Sequence, residues 1–106
     1  MLYLTAETKI LLAVTPVDFR KGLDGLVALC EHQLRQQPRS GSLFIFINRS
    51  RTMIRVLCYE INGYWIATKR LSRGRYGGWP NSTESLYSMP ASELTKILRK
   101  LVVNQP

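Results

Sequence analysis

A chain of 106 residues, 45% apolar and 21% charged, is long enough for one domain over 1–106 that buries roughly 65% of its unfolded surface. No apolar run approaches the ~18 residues of a membrane helix, and Met1 to Glu7 lacks both a basic segment and a sustained apolar one, so neither a membrane span nor a signal peptide is expected. A formal charge of +8 and a pI near 10.0 favour nucleic acid over a membrane surface as partner, because no basic amphipathic helix stands out.

In chain order, Lys9 to Val14 is a short apolar run ending at Thr15-Pro16, which predicts a strand stopped by a turn. Asp18 is a candidate N-cap whose carboxylate accepts from backbone amides three residues on. Leu23, Leu26, Val27, Cys30 and Leu34 follow helical spacing and predict an amphipathic helix ending near Gln37, before Pro38. Pro38 to Ser42 is loop chemistry. Cys30 and Cys58 are too few and too far apart for a disulfide framework or a zinc knuckle. Both fall in apolar patterns and read as small buried thiols, and a cytoplasmic protein is expected.

Leu43 to Ile47 is aromatic and β-branched and predicts a strand. Asn48 to Thr52 forms a loop exposing Arg49 and Arg51. Met53 to Ile61 and Tyr64 to Leu71 then flank Asn62-Gly63, a strong hairpin signal. A turn on those two residues sets Arg55 opposite Arg70. It sorts Ile54, Val56, Cys58, Trp65, Ala67 and Leu71 onto one face, joined by Phe44 and Phe46 if Ile47 closes onto Met53. The other face carries Arg55, Tyr59, Tyr64, Thr68 and Arg70 among Ile45, Leu57 and Ile66. Two like charges directly opposed cost up to ~1 kcal/mol on a sheet, which an anion over the pair would relieve; the alternative is that they splay into water.

Lys69 to Pro80 interleaves Lys69, Arg70, Arg73 and Arg75 with glycines, Tyr76 and Trp79. Arginine forks suit phosphate, glycine permits close backbone approach, and aromatic faces stack on bases. The bland alternative is a solvated loop whose Trp79 anchors the core. Leu86 and Tyr87 suggest a short edge strand. Pro90 fits a first helical position, and Leu94, Ile97, Leu98 and Leu101 supply a second amphipathic stripe. The tail Asn104 to Pro106 reads as frayed.

The positive charge is segregated. Nine Lys/Arg lie between Arg35 and Arg75 against one acid, Glu60, so this segment carries +8 and the remainder is neutral on balance. No carboxylate pair, nucleophile motif, phosphate-binding Gly-Lys-Ser/Thr or metal cluster is legible, and no cofactor is expected. His32, the only histidine, could serve a metal-independent ribonuclease that uses the RNA 2′-hydroxyl.

Thr15-Pro16-Val17-Asp18-Phe19-Arg20-Lys21-Gly22-Leu23-Asp24-Gly25-Leu26 resembles the "D-x-R-K-G-x-D-G-L" signature of the TnpB-type accessory proteins, encoded by the second open reading frame of insertion sequence 66 family elements. The resemblance continues through Gly41 to Phe46 and Lys69 to Tyr76, then Trp79-Pro80 and the Pro90 to Leu98 helix start, covering about residues 9 to 102. It implies a small bacterial protein made beside a separate, larger transposase and needed for efficient transposition; it assigns no biochemical activity. Two positions depart from the family pattern. Gly77-Gly78 puts two residues between Tyr76 and Trp79 where the pattern has one, and Met89 precedes Pro90 where a capping Thr or Ser is frequent.

The expectation is an α+β domain: an antiparallel meander with an N-terminal strand and two amphipathic helices on one face. Its expected role is a non-enzymatic accessory binding nucleic acid, DNA before RNA. Arg49, Arg51, Arg55, Lys69, Arg70, Arg73 and Arg75 would be backbone contacts, and Tyr59, Tyr64 and Tyr76 stacking candidates. The alternative is an adaptor docking the transposase or a sister subunit through the apolar part of the Arg55/Tyr59 face.

Overall fold

The structure is a computed structural model that describes residue 5, residues 7–100 and residues 102–103. Its centre is a five-stranded mixed sheet in the order β4-β3-β2-β1-β6, built from β1 (Ile10–Ala13), β2 (Leu43–Ile47), β3 (Met53–Glu60), β4 (Gly63–Arg70) and β6 (Leu86–Met89). A short second sheet pairs β5 (Arg75–Tyr76) with β7 (Val102–Val103). The helices are α1 (Gly22–His32) and α2 (Ala91–Lys100). No helix among the described residues is long and apolar enough to cross a membrane.

β1 and β2 run parallel, joined through α1, and every residue in both is buried. A strand covered on both faces reads as a continuous apolar run, as Ile-Leu-Leu-Ala and Leu-Phe-Ile-Phe-Ile do. The expected strands are all present, the edge strand at Leu86 included, but β1 lies inside the sheet between β2 and β6.

Both faces carry a core, which corrects the expectation of helices on one side. Leu11, Ala13, Phe44, Phe46 and Leu57 pack with Leu26, Leu29, Cys30 and Leu34 of the α1 segment. Ile10, Leu12, Ile45, Ile47, Ile54 and Cys58 pack on the other side with Tyr76, Trp79, Met89 and Leu94 of α2. Phe44 and Phe46 thus join the Leu57 face. The cause is register: Ile47 pairs with Ile54 rather than Met53, and a slip of one residue moves a whole strand's side chains to the opposite face.

α1 ends at His32, short of Gln37. Arg35 takes a left-handed backbone at φ 55, and the Gln36 N–H closes onto the Cys30 carbonyl six residues back at 2.9 Å, so the chain turns off the helix through a left-handed residue. Leu23 is 38% exposed while Leu29 is buried, so the buried stripe is rotated from the expected one. Met89, the departure before Pro90, is the last residue of β6 and is buried opposite Ile10. Its position is a core position, so a capping residue has no role there. Leu101 and the tail 104–106 lie outside the described residues.

The hairpin also differs. Its turn residues are Ile61 and Asn62, with Glu60 opposite Gly63 and Tyr59 opposite Tyr64. The two-residue shift keeps the faces and changes the partners: Arg55 faces Thr68, and Arg70 faces Met53. No like-charge pair forms, and Arg55 Nε donates to Thr68 Oγ1 at 2.9 Å. This register places Ile61 at φ 58 with 91% exposure. A β-branched residue held there carries strain of roughly 1–2 kcal/mol and has no burial to offset it. Ile61→Gly should therefore raise thermal stability by ~1 kcal/mol, read as a melting-point increase of roughly 4–8 °C. No increase would show that the turn is relaxed.

Candidate functional site

Strand directions sort the loops. Residues following β1 and β2, preceding β3 and β6, and following β4 all lie at one end of the sheet. That end collects Asp18, Arg20, Lys21, Arg49, Arg51, Arg70, Arg73 and Arg75. Cross-links tie its loops together: the Val17 N–H donates to the Ile47 carbonyl at 2.8 Å, Val14 N–H to Ser85 at 3.1 Å, Tyr76 N–H to Arg51 at 2.8 Å, and Leu71 N–H to Thr52 at 2.9 Å.

The signature segment has a physical reason at each position. Asp18 caps a 3₁₀ turn over Phe19–Lys21, accepting the Arg20 N–H at 2.9 Å, two residues on rather than three. The same carboxylate takes the Arg20 guanidinium, with Nη2 to Oδ2 at 2.7 Å and Nε at 3.1 Å from both oxygens. Hydrogen bonds from the Arg20 side chain and then its backbone hold the Asp18 carboxyl well below the usual carboxylate range, and the charges of Arg20 and Arg49 add to this. Gly22 sits at φ 72, the break that turns the 3₁₀ segment into α1 and that a side chain would strain. Asp24 lies in the first turn of α1, where a negative charge suits the helix dipole. A Cβ on Gly25 would lie 2.6 Å from Lys21 Cβ, so the lysine stem needs that glycine. Leu26 is fully buried.

The next loop is set by a residue the sequence reading passed over. Asn48 is 9% exposed; its Oδ1 accepts the N–H groups of Thr52 and Met53 at 2.9 and 3.0 Å, and its Nδ2 donates to Ser50 and Thr52 hydroxyls at 3.1 Å. This closes the turn that presents Arg49 to solvent and puts Arg51 at φ 61. An Asn at a strand's end followed by Ser and Thr was the available signal, since Asn readily caps its own following backbone.

Three adjoining grooves cross this end. One runs between the Val17–Arg20 turn and the Asn48–Ser50 loop, with Arg55 and Met53 in its wall. A second shares Asp18 and Arg49 with it and reaches Lys21 and Ser85. A third shares Thr15 and Pro16 with the second and is lined by Arg51, Arg75, Trp79 and Pro80. His32 is exposed at the last position of α1 and lines none of them.

The expected contact residues divide. Arg49, Arg70, Arg73 and Arg75 are exposed at this end, with Arg51 half-buried beside them and Lys69 exposed on β4. Arg55 is committed elsewhere: besides Thr68, its Nη1 donates to the Phe19 carbonyl at 2.9 Å, and its guanidinium lies 4.6 Å from the Phe19 ring centroid. It pins the signature turn to the sheet. Tyr59 and Tyr64 sit at the hairpin end, edge to face with centroids 4.9 Å apart and Arg39 over Tyr59. That is ~20 Å along β3 from the cationic end at about 3.3 Å per residue. Tyr76 is 1% exposed, so its ring is core, and its hydroxyl finds no hydrogen-bond partner among the described residues. Trp79 is buried and donates Nε1 to the Ala13 carbonyl at 3.1 Å, which makes it the core anchor of the loop.

Burial pushes the Cys30 thiol up to about 12 and raises that of Cys58, which keeps both protonated and poor nucleophiles near neutrality. Among the described residues no group of three His, Cys, Asp or Glu could hold a metal ion.

Compared with known proteins, residues 8–106 match the profile of a family described as "IS66 Orf2 like protein". The chain belongs to that family. The IS66 Orf2-like family is associated with transposition in an accessory capacity, and the signature turn, the Asn48 loop and the Arg/Gly loop all fall inside the matched span. Two similar curated proteins come from Sinorhizobium fredii. The "uncharacterized protein y4jC" is 33% identical over 82 residues, 77% of this chain and 70% of that protein. The "uncharacterized protein y4hO" is 29% identical over 92 residues, 87% of this chain and 79% of that protein. No solved structure matches the chain.

Proposed function

We propose that this IS66 Orf2-like protein is a non-enzymatic accessory of transposition that binds DNA through the cationic end of its sheet. The observation carrying this reading is the sorting of charge by strand direction: the exposed arginines 49, 70, 73 and 75, with Arg20 and Lys21, converge from three separate loops on one grooved end. A single flexible basic tail would not need that convergence. Arg49, Arg73 and Arg75 have exposed guanidinium forks suited to phosphate oxygens. With two of the three expected tyrosines at the far end and the third in the core, backbone contacts dominate and stacking has no place in the site. Sequence readout is then modest.

The test is the affinity of the intact chain for a labelled DNA duplex from the element's end, measured by anisotropy against salt. Six phosphate contacts predict a loss of ~10³ or more between about 50 and 200 mM salt. An affinity indifferent to salt, or no binding to duplex or single-stranded DNA at the lower concentration, removes the reading. Retention of the transposase by the same protein, unaffected by salt, would favour the adaptor role instead.

A further inference from the structure

We infer that β4 is the surface through which two copies of this chain pair, edge to edge and antiparallel. The inference is independent of what the cationic end binds.

β4 is the outer strand of the five-stranded sheet. It pairs with β3 without interruption over all eight of its residues, so no bulge turns the edge away, and its sequence holds no proline. From Trp65 to Arg70 every residue is exposed, with Trp65 at 43% and Ile66 at 37%. A long, regular, partly apolar edge offers a row of backbone donors and acceptors to another strand, and monomeric proteins ordinarily blunt such edges. The other edge strand, β6, is four residues long.

The charge pattern selects a second copy and its direction. Lys69 and Arg70 stand at one end of β4 and Tyr64 and Trp65 at the other. Parallel pairing would set Arg70 against Arg70 and bring both cationic ends side by side. Antiparallel pairing sets the basic end of each strand against the aromatic end of its neighbour, where cation–π attraction replaces repulsion, and drives the cationic ends apart.

A two-fold axis normal to the sheet preserves its faces, and directly opposed residues share a face. The paired numbers must therefore have an even sum. Centring the axis on Ala67 opposes Tyr64 with Arg70, Trp65 with Lys69 and Ile66 with Thr68. It places the smallest side chain of the exposed run where the copies meet most closely. The two sheets become one, with a cationic end at each extremity.

Two chains of +8 repel at long range, so salt should strengthen this association, opposite in sign to its effect on binding a polyanion. Sedimentation equilibrium of the full chain at micromolar concentrations should give a mass approaching twice 12.2 kDa, with a tighter dimer at about 500 mM than at about 50 mM salt. Ala67→Lys, at an exposed position, should restore the monomer with an unchanged circular dichroism spectrum. Ala67→Cys should cross-link across the axis on oxidation, since opposed antiparallel residues lie about 4.5–5.5 Å apart at Cα. Thr68→Cys, displaced from the axis, should not. A mass of 12.2 kDa at both salt concentrations overturns the inference and leaves the edge to a strand of another protein. A dimer that survives Ala67→Lys, or one that cross-links at Thr68→Cys but not at Ala67→Cys, overturns it as well.

Discussion

Replacing Arg49, Arg73 and Arg75 together with alanine should lower affinity for duplex DNA by ~500-fold at 0.1 M salt. Each lost phosphate contact removes ~0.9 from the slope of log affinity against log salt, worth ~8-fold at 0.1 M relative to 1 M. The slope should fall by ~3 while the fold is unaffected, because all three side chains are exposed. The matched control is Arg35→Ala with Arg39→Ala, which removes cations from the same basic segment of sequence but away from the grooves at the site. If charge alone mattered, the control would cost nearly as much per residue as the triple variant. If location matters, it should change the affinity little.

Arg55→Ala should do the reverse, losing stability with little change in the salt slope. The substitution removes a charge-assisted bond to the Phe19 carbonyl, the bond to Thr68 and the stack on the Phe19 ring. A hydrogen bond from a charged donor contributes about 1.5–3 kcal/mol and the cation–π contact roughly 0.5–1 kcal/mol. A loss of ~2–4 kcal/mol in denaturant unfolding is expected from these. Arg55→Lys should recover only part, since an ammonium cannot donate to two partners in a planar fork while stacking on a ring. A destabilisation below ~0.5 kcal/mol, the scale of ordinary surface substitutions, would show that the signature turn holds its place without this pin.

How legible this was from sequence varies with how local the deciding interactions are. Leu43–Ile47 followed from its apolar run, and β3 and β4 from theirs to within one residue at their limits, though not the turn residues between them. The Asp18 cap and the family signature were equally visible. What failed were two registers. Ile47 pairs with Ile54 because the Asn48 side chain holds the Thr52 and Met53 amides; the loop length alone misplaced Phe44 and Phe46 by one residue and hence by one face. The hairpin turns at Ile61–Asn62 despite the strain there, while Arg55 bonds Thr68 across the strands, a balance that a dipeptide rule does not contain. The cationic residues could be counted in the sequence but not placed in the fold. They were read as a sheet face; the β2–β3 loop and the end of β4 set most of them at one sheet end, and the parallel β1–β2 pairing, which no local pattern announces, brings Arg20 and Lys21 to it. Arg55 and Tyr76 were misread for a related reason: both become structural only through partners distant in sequence.

The internal position of β1 bears on how the protein is made. Its neighbours come from residues 43–47 and 86–89, and its Ala13 carbonyl is closed by Trp79. A ribosome will have released the first of these long before the second, so the early strand waits with one flank uncovered until most of the chain has emerged. Closure over such separations is slow compared with local hairpins. Translation that halts near residue 80 would leave Ile10–Ala13, buried throughout in the finished sheet, as a bare apolar edge. Products that stop short of residue 89 should thus be poorly behaved, because they cannot pair both flanks of their first strand.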